Sequence, residues 1–252
     1  MSSDNQLLYE VTGGIATIII NRADARNALN AAVRGEIRAS LERFTHDEGA
    51  KVLIITGAGD IAFSAGADLK EMSEQKLTVP ADDFISDLKT PKPVIAAVNG
   101  LAFGGGFYLV QQADLVIASE HATFGITEAR HGRGAPWAAQ LPLLIAPRVA
   151  LELLLTAQPI SASRAMEIGL VNKVVSAKAL METAREMAVQ IAANAPLSVA
   201  ASKAMVRNTI ESTLGSSRLR ANEIWDQVYK SADAQEGPRA FKEKRAPKWL
   251  GY

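Results

Sequence analysis

Short β-branched runs alternate with amphipathic stretches through the first two fifths of the chain: residues 16–20, a helix-like 27–44, then 52–56. Two further strand candidates, 94–98 and 114–118, are apolar on both faces, which predicts strands of an internal sheet covered on both sides. After about residue 145 the strand signal fades, apart from 170–175, and helical periods take over. Ser161 is placed to cap a short helix that Gly169 ends. Ala195-Pro196 separates two further helices, and Gly237-Pro238 starts the last one. The pattern predicts an α/β core over residues 1–195 and a helical subdomain over 196–252, with no low-complexity linker and no fixed-period repeat.

Composition narrows the chemistry. The 252 residues are 48 % apolar and carry 27 basic against 27 acidic side chains, so no net charge steers the chain toward nucleic acid or an anionic membrane. Without cysteine there are no disulfides, thiolate nucleophiles or cysteine-bound metals, and the chain fits a reducing compartment. The opening MSSDNQLLYE has neither a basic and apolar leader pattern nor an Arg-rich presequence, which predicts a soluble, cytoplasmic protein. Residues 94–110 come nearest to a membrane span, but Asn99 and four glycines interrupt them. His46, His121 and His131 have no metal-ligand spacing, so no metal is expected. The GxGxxA match at residues 57–62 runs into Phe63-Ser64-Ala65-Gly66 rather than a helix, which reads as a strand and a loop instead of a nicotinamide site. No GxSxG elbow occurs, and Ser64 lacks evident His and Asp partners.

Two glycine-bearing loops hold the candidate chemistry: Phe63-Ser64-Ala65-Gly66-Ala67-Asp68-Leu69-Lys70 and Asn99-Gly100-Leu101-Ala102-Phe103-Gly104-Gly105-Gly106. The second runs straight into an apolar stretch at 107–112, which puts its glycines at a helix start, where amides lack intrahelical acceptors. One amide from each loop, converging on a single oxygen, would stabilise an oxyanion or thioester enolate. A glycine triplet taken alone equally marks close backbone packing.

The segments NRADARNALN (21–30), AFSAGADLKEM (62–72), PKPVIAAVNGLAFGGG (91–106), ADLVIAS (113–119) and ATFGITEAR (122–130) resemble the crotonase family, the enoyl-CoA hydratase/isomerase superfamily. The likeness continues through SASRAMEIGLVNKVV and the basic C-terminal segment, so it covers nearly the whole chain. It implies a crotonase-like spiral of ββα units with a C-terminal helical trimerisation subdomain, a homotrimer or dimer of trimers, and an acyl-CoA thioester substrate. Coenzyme A belongs to that substrate, and no separate cofactor is implied.

By the same resemblance, the amides of Ala67 and Gly105 hold the thioester oxygen. Ala25, Arg26, Asn27, Ala28, Ala65, Asp68 and Leu69 lie where relatives bind the nucleotide and pantetheine. Lys70 reads either as a phosphate contact or as an ordinary solvated lysine, and Lys242 either as a phosphate contact or as part of a solvated helix face. Typical hydratases carry one glutamate two residues after GGG and a second at the end of FGxxE. Here Tyr108 stands at the first position, and Glu128 keeps the second. Desolvation would move the Glu128 carboxyl toward neutral pH and suit it to general acid/base work. A phenol titrating near 10 is no base at neutral pH, so Tyr108 reads as a hydrogen-bond donor or as a core aromatic. Pro136 and Trp137 replace a more glycine-rich turn and reshape the acyl pocket; His131 reads as a second acid/base group or a surface loop residue. The expected activities are a single-glutamate hydratase, an enoyl-CoA isomerase without hydratase activity, or a non-catalytic CoA-thioester-binding protein.

Overall fold

The structure, a computed structural model, describes residues 5–68, 71, 88 and 90–250. β1 (Leu7–Thr12) and β2 (Ile15–Ile20) form an antiparallel hairpin. β3 (Val52–Gly57), β5 (Val94–Val98), β7 (Leu115–Ser119) and β10 (Lys173–Val175) extend it in parallel into a sheet ordered β1-β2-β3-β5-β7-β10. β4 (Ala62–Ser64), β6 (Leu101–Phe103), β8 (Thr123–Gly125) and β9 (Ile160–Ser161) make a second sheet in that order. The pairs β3/β4, β5/β6 and β7/β8 each give one strand to the large sheet and the next to the small one. The two sheets therefore advance in step, which is the spiral winding expected of the family.

Burial on both faces explains the unbroken apolar strands. Ile18, Leu53, Ile55, Ala96 and Val98 enter the main core, whereas Ile54, Ile95 and Ile117 face Leu180, Ala184 and Ala188 of α6 (Leu180–Ala192). β5 matches its expected range, and β3 extends one residue past it. β1 and the three-residue strands of the small sheet were not expected, because such short runs carry too few alternations to signal a strand.

α1 (Ala31–His46) starts four residues later than the pattern predicts, since Arg26 and Asn27 adopt left-handed φ values of 51° and 54°. Asn30 caps it, its Oδ1 accepting from the Val33 amide at 2.9 Å. α2 (Gly105–Gln112) is buried at every position, as a helix between two layers must be. The remaining helices are α3 (Leu141–Leu144), α4 (Pro147–Thr156), α5 (Ala162–Glu167), α7 (Pro196–Lys230) and α8 (Ala232–Lys242). Ser161 does cap α5, accepting from the Arg164 amide.

The last helix corrects the sequence reading. It begins at Ala232, with Ser231 Oγ accepting from the Ala234 amide at 3.3 Å, so Gly237-Pro238 lies inside it. α7 is fastened to the end of the large sheet by an ion cluster: Asp114 meets Lys203 at 2.7 Å and Arg207 at 2.9 Å, and also accepts from the Val94 amide. Among the described residues, no helix is long and apolar enough to cross a membrane.

Candidate active site

The two glycine loops meet through their backbones. A Cβ at Gly66, whose φ is +87°, would stand 2.7 Å from Phe103 O and 2.9 Å from Gly105 N. One at Gly106 would stand 2.3 Å from Ser64 O. Both are below any ordinary contact, so only glycine allows the loops to approach this closely. Leu29 donates to Gly66 O at 2.8 Å in a parallel bridge that pairs Leu29 with Ala67. Among the described residues no backbone carbonyl accepts from the Ala67 amide. Gly105 opens α2 without a side-chain cap, so its amide belongs to the turn that lacks intrahelical acceptors.

The segment before α1 braces the first loop. Ala65 donates to Arg26 O at 2.9 Å, and Arg22 donates to Ala28 O and pairs with Asp68 at 2.9 Å. The fully buried Asn27 amide donates to Ala58 O and Ala62 O, while its Oδ1 accepts from the Arg22 amide. The GxGxxA stretch accordingly runs from β3 into β4, with no helix opening at its glycines. Sequence reading missed Asn27 as the centre of this brace. Its left-handed backbone leaves no periodic signal, and the two carbonyls its amide donates to lie more than 30 residues away.

β8 delivers Glu128 to the same place. The residue starts a 3-10 turn, Glu128–His131, and its Oε1 lies 3.2 Å from the Cβ position of Gly104. Oε2 is shielded from solvent and has no hydrogen-bond partner among the described residues, although the residue as a whole is only half-buried. Burial pushes the Glu128 carboxyl from its ordinary 4.5 up to about 7, against smaller opposing contributions from the Trp137 indole and the Thr127 and Glu128 amides.

A consequence follows for folding. The unfolded carboxyl ionises near 4.5, but the folded one holds its proton until about 7, so wild-type stability falls across that window and levels off above it. The loss amounts to about 3 kcal/mol. Glu128→Gln is expected to lack this decline and to melt above wild type at pH 8.5, with the gap closing near pH 4.5. Parallel melting-temperature profiles for the two proteins would contradict the shifted carboxyl.

Aromatic rings close one side. Tyr108, on the first turn of α2, is buried with its ring centroid 5.6 Å from Trp137, and Phe107 meets Trp137 edge-on at 6.4 Å. Pro136 opens the 3-10 turn Pro136–Gln140, which Gln140 ties to Gln111 and Gln112 of α2. His131 is half-buried and packs edge-on against Phe241 at 5.8 Å. Burial, aided by Arg130, lowers its pKa. Tyr229 of α7 was not foreseen: its hydroxyl donates to Gly134 O at 3.0 Å, and burial pushes its pKa up to about 12.

The structure thus gathers Ala67, Gly105 and Glu128 around the joined loops, with Tyr108 and Trp137 beside them. Ala25, Arg26 and Ala28 flank the first loop, to which Ala65 and Asp68 belong, but the Asp68 carboxylate already pairs with Arg22. Leu69 and Lys70 lie outside the described residues. Lys242 is exposed at the end of α8, and no contact joins it to the loops among the described residues.

Two glycine loops in backbone contact, beside a shielded carboxyl that burial pushes up to about 7, offer a place where a carbonyl oxygen can be held and a proton moved on the adjacent carbon. A family model described as Enoyl-CoA hydratase/isomerase matches residues 10–251. This chain belongs to that family. It is 41 % identical to a carnitinyl-CoA dehydratase from Proteus mirabilis (strain HI4320), over 98 % of this chain and 99 % of that protein. The crystal structure of a carnitinyl-CoA hydratase from Mycobacterium avium aligns with a TM-score of 0.91 and 39 % identity, covering 99 % of this chain and all of that one. An enoyl-CoA hydratase/isomerase structure from Pseudoalteromonas atlantica T6c aligns at 0.88 with 29 % identity, covering 98 % and 100 %. The chain is an acyl-CoA enzyme of the hydratase/isomerase family.

Proposed function

We propose that this family member removes water from, or adds it to, a CoA thioester, with Glu128 as its single proton carrier. The observation that carries this reading is the Glu128 carboxyl, whose Oε1 lies beside Gly104 at the start of α2 and whose Oε2 is shielded and has no hydrogen-bond partner among the described residues. In the dehydration direction the Glu128 carboxylate takes a proton from the carbon next to the thioester carbonyl. Negative charge then develops on the thioester oxygen, where the Ala67 and Gly105 amides stabilise it. The electron pair returns to form the double bond, the 3-hydroxyl group departs, and Glu128 returns its proton so that water leaves. Tyr108 serves as a donor or as packing for the acyl group, not as a base. The scheme uses no resident cofactor, since coenzyme A arrives with the substrate.

The likeness to carnitinyl-CoA dehydratases and hydratases favours a carnitinyl acyl group. Carnitine carries a quaternary ammonium beside its 3-hydroxyl, and the adjoining faces of Tyr108 and Trp137 suit such a cation. Exposed Leu143, Leu151 and Leu155 are consistent with subunit contacts in a homotrimer or dimer of trimers. The cysteine-free chain fits a cytoplasmic enzyme.

The missing second glutamate favours one competing reading, isomerisation, because a single base can lift a proton from one carbon and set it on another. Mass spectrometry of CoA thioesters incubated in deuterated water separates the two. Carnitinyl-CoA should lose the mass of water, and its enoyl product should regain it. An enoyl-CoA thioester that takes up deuterium and shifts its double bond, with no change in water content, would instead identify an isomerase.

A further inference from the structure

Glu128 begins a turn whose next residues are gripped by the C-terminal end of the same chain. Within α8, a Cβ at Gly237 would stand 1.9 Å from His131 O. At Gly132, held at φ +63°, a Cβ would stand 2.3 Å from Asp233 O and 3.2 Å from the Trp249 ring. Tyr229 reaches down from α7 to Gly134 O, and the Arg133 guanidinium lies 5.9 Å from its ring centroid. The Arg133 amide donates back to Glu128 O at 3.0 Å, which closes the loop onto the glutamate's own peptide unit.

The far side of α8 is fastened as well. The buried Glu236 accepts from Arg239, Arg245 and the Lys248 amide, and Leu250 donates to Asp233 Oδ1 at 2.6 Å. These partners, Arg245 foremost, hold the Glu236 carboxyl well below the usual range. The tail therefore straps α8 down, and α8 in turn presses on residues 131–132.

We propose that Tyr229 and Gly237 are positioning residues for the reaction: through the turn that starts at Glu128, they fix where its carboxyl sits and keep water from it. The proposal rests on Glu128 being the proton carrier. The ionisable groups around this cluster are Tyr229, a neutral phenol that feels the charges of Arg133 and Glu128, and His131 with its neighbour Arg130. Gly237→Ala must lift α8 off the turn, because its Cβ would meet backbone rather than a side-chain end that can swing away. Tyr229→Phe keeps the ring and the helix but removes the hydroxyl bond to Gly134.

Two measurements on the full-length chain test this. With carnitinyl-CoA, kcat should fall on the order of a hundredfold in Gly237→Ala and roughly fivefold in Tyr229→Phe, with KM within a few fold of wild type. In ligand-free protein, the infrared carboxyl band assigned by subtracting Glu128→Gln should titrate at about 7 in wild type. In both variants its midpoint should move down, as water reaches the carboxyl. If Gly237→Ala does not fold, Tyr229→Phe decides. An unmoved midpoint in the folded variants overturns the proposal, even if melting temperatures fall. Full turnover by Glu128→Gln would instead defeat the proton-carrier assignment, while the infrared titration would still report on the positioning.

Discussion

Glu128→Gln should lower turnover roughly a hundred- to ten-thousand-fold while leaving affinity for a CoA thioester within a few fold. Glutamine fills nearly the same volume and retains the contacts of the side-chain stem, so the turn and the two glycine loops have no reason to move. What it loses is the proton. The Glu128 carboxyl titrates at about 7 because burial opposes its charged form, so near neutral pH it is populated both as base and as acid. In the dehydration direction the carboxylate form is required, and wild-type kcat/KM should rise with pH through about 7. Steady-state kinetics, with thioester binding measured separately by calorimetry, checks both halves. Turnover by the glutamine variant within a few fold of wild type would reject Glu128 as the proton carrier.

The parts of this site that the sequence displays are those built from neighbours in the chain. Gly104-Gly105-Gly106 stands before an apolar run, and the structure starts α2 at Gly105. Residues 94–98 are apolar throughout because both faces of β5 are covered. Glu128 stood out from its segment, but its shielding did not, since that depends on residues brought in from elsewhere. Asn27 is a plain polar residue until Ala58 and Ala62 come within reach of its amide. Gly237-Pro238 has the look of a helix start, yet the glycine is required by the approach of His131, some hundred residues earlier, and Ser231 begins the helix instead. Tyr229 follows the same rule, with a partner 95 residues away. Periodicity reports which face of an element is buried but not which distant backbone will be pressed against it.

The second large effect concerns the contact between the loops. Gly66→Ala places a Cβ 2.9 Å from the Gly105 nitrogen and 2.7 Å from Phe103 O, at a backbone φ of +87° that alanine rarely adopts. The backbone strain alone costs on the order of 1–3 kcal/mol, which the buried core around β3 and β5 can absorb without global unfolding. The amide pair has less tolerance. Relief of the clash must separate Gly66 from Gly105 by several tenths of an ångström, and Ala67 moves with its neighbour. Donors preorganised for a developing oxyanion lose much of their value when displaced, and one such donor is worth roughly a hundred- to a thousandfold in kcat. Turnover per folded molecule, with the folded fraction taken from circular dichroism, should therefore drop by about that factor, while the pH midpoint set by Glu128 stays near 7. The retained midpoint separates this defect from loss of the proton carrier. Wild-type turnover in a folded Gly66→Ala protein would show that the charge develops somewhere other than between Ala67 and Gly105.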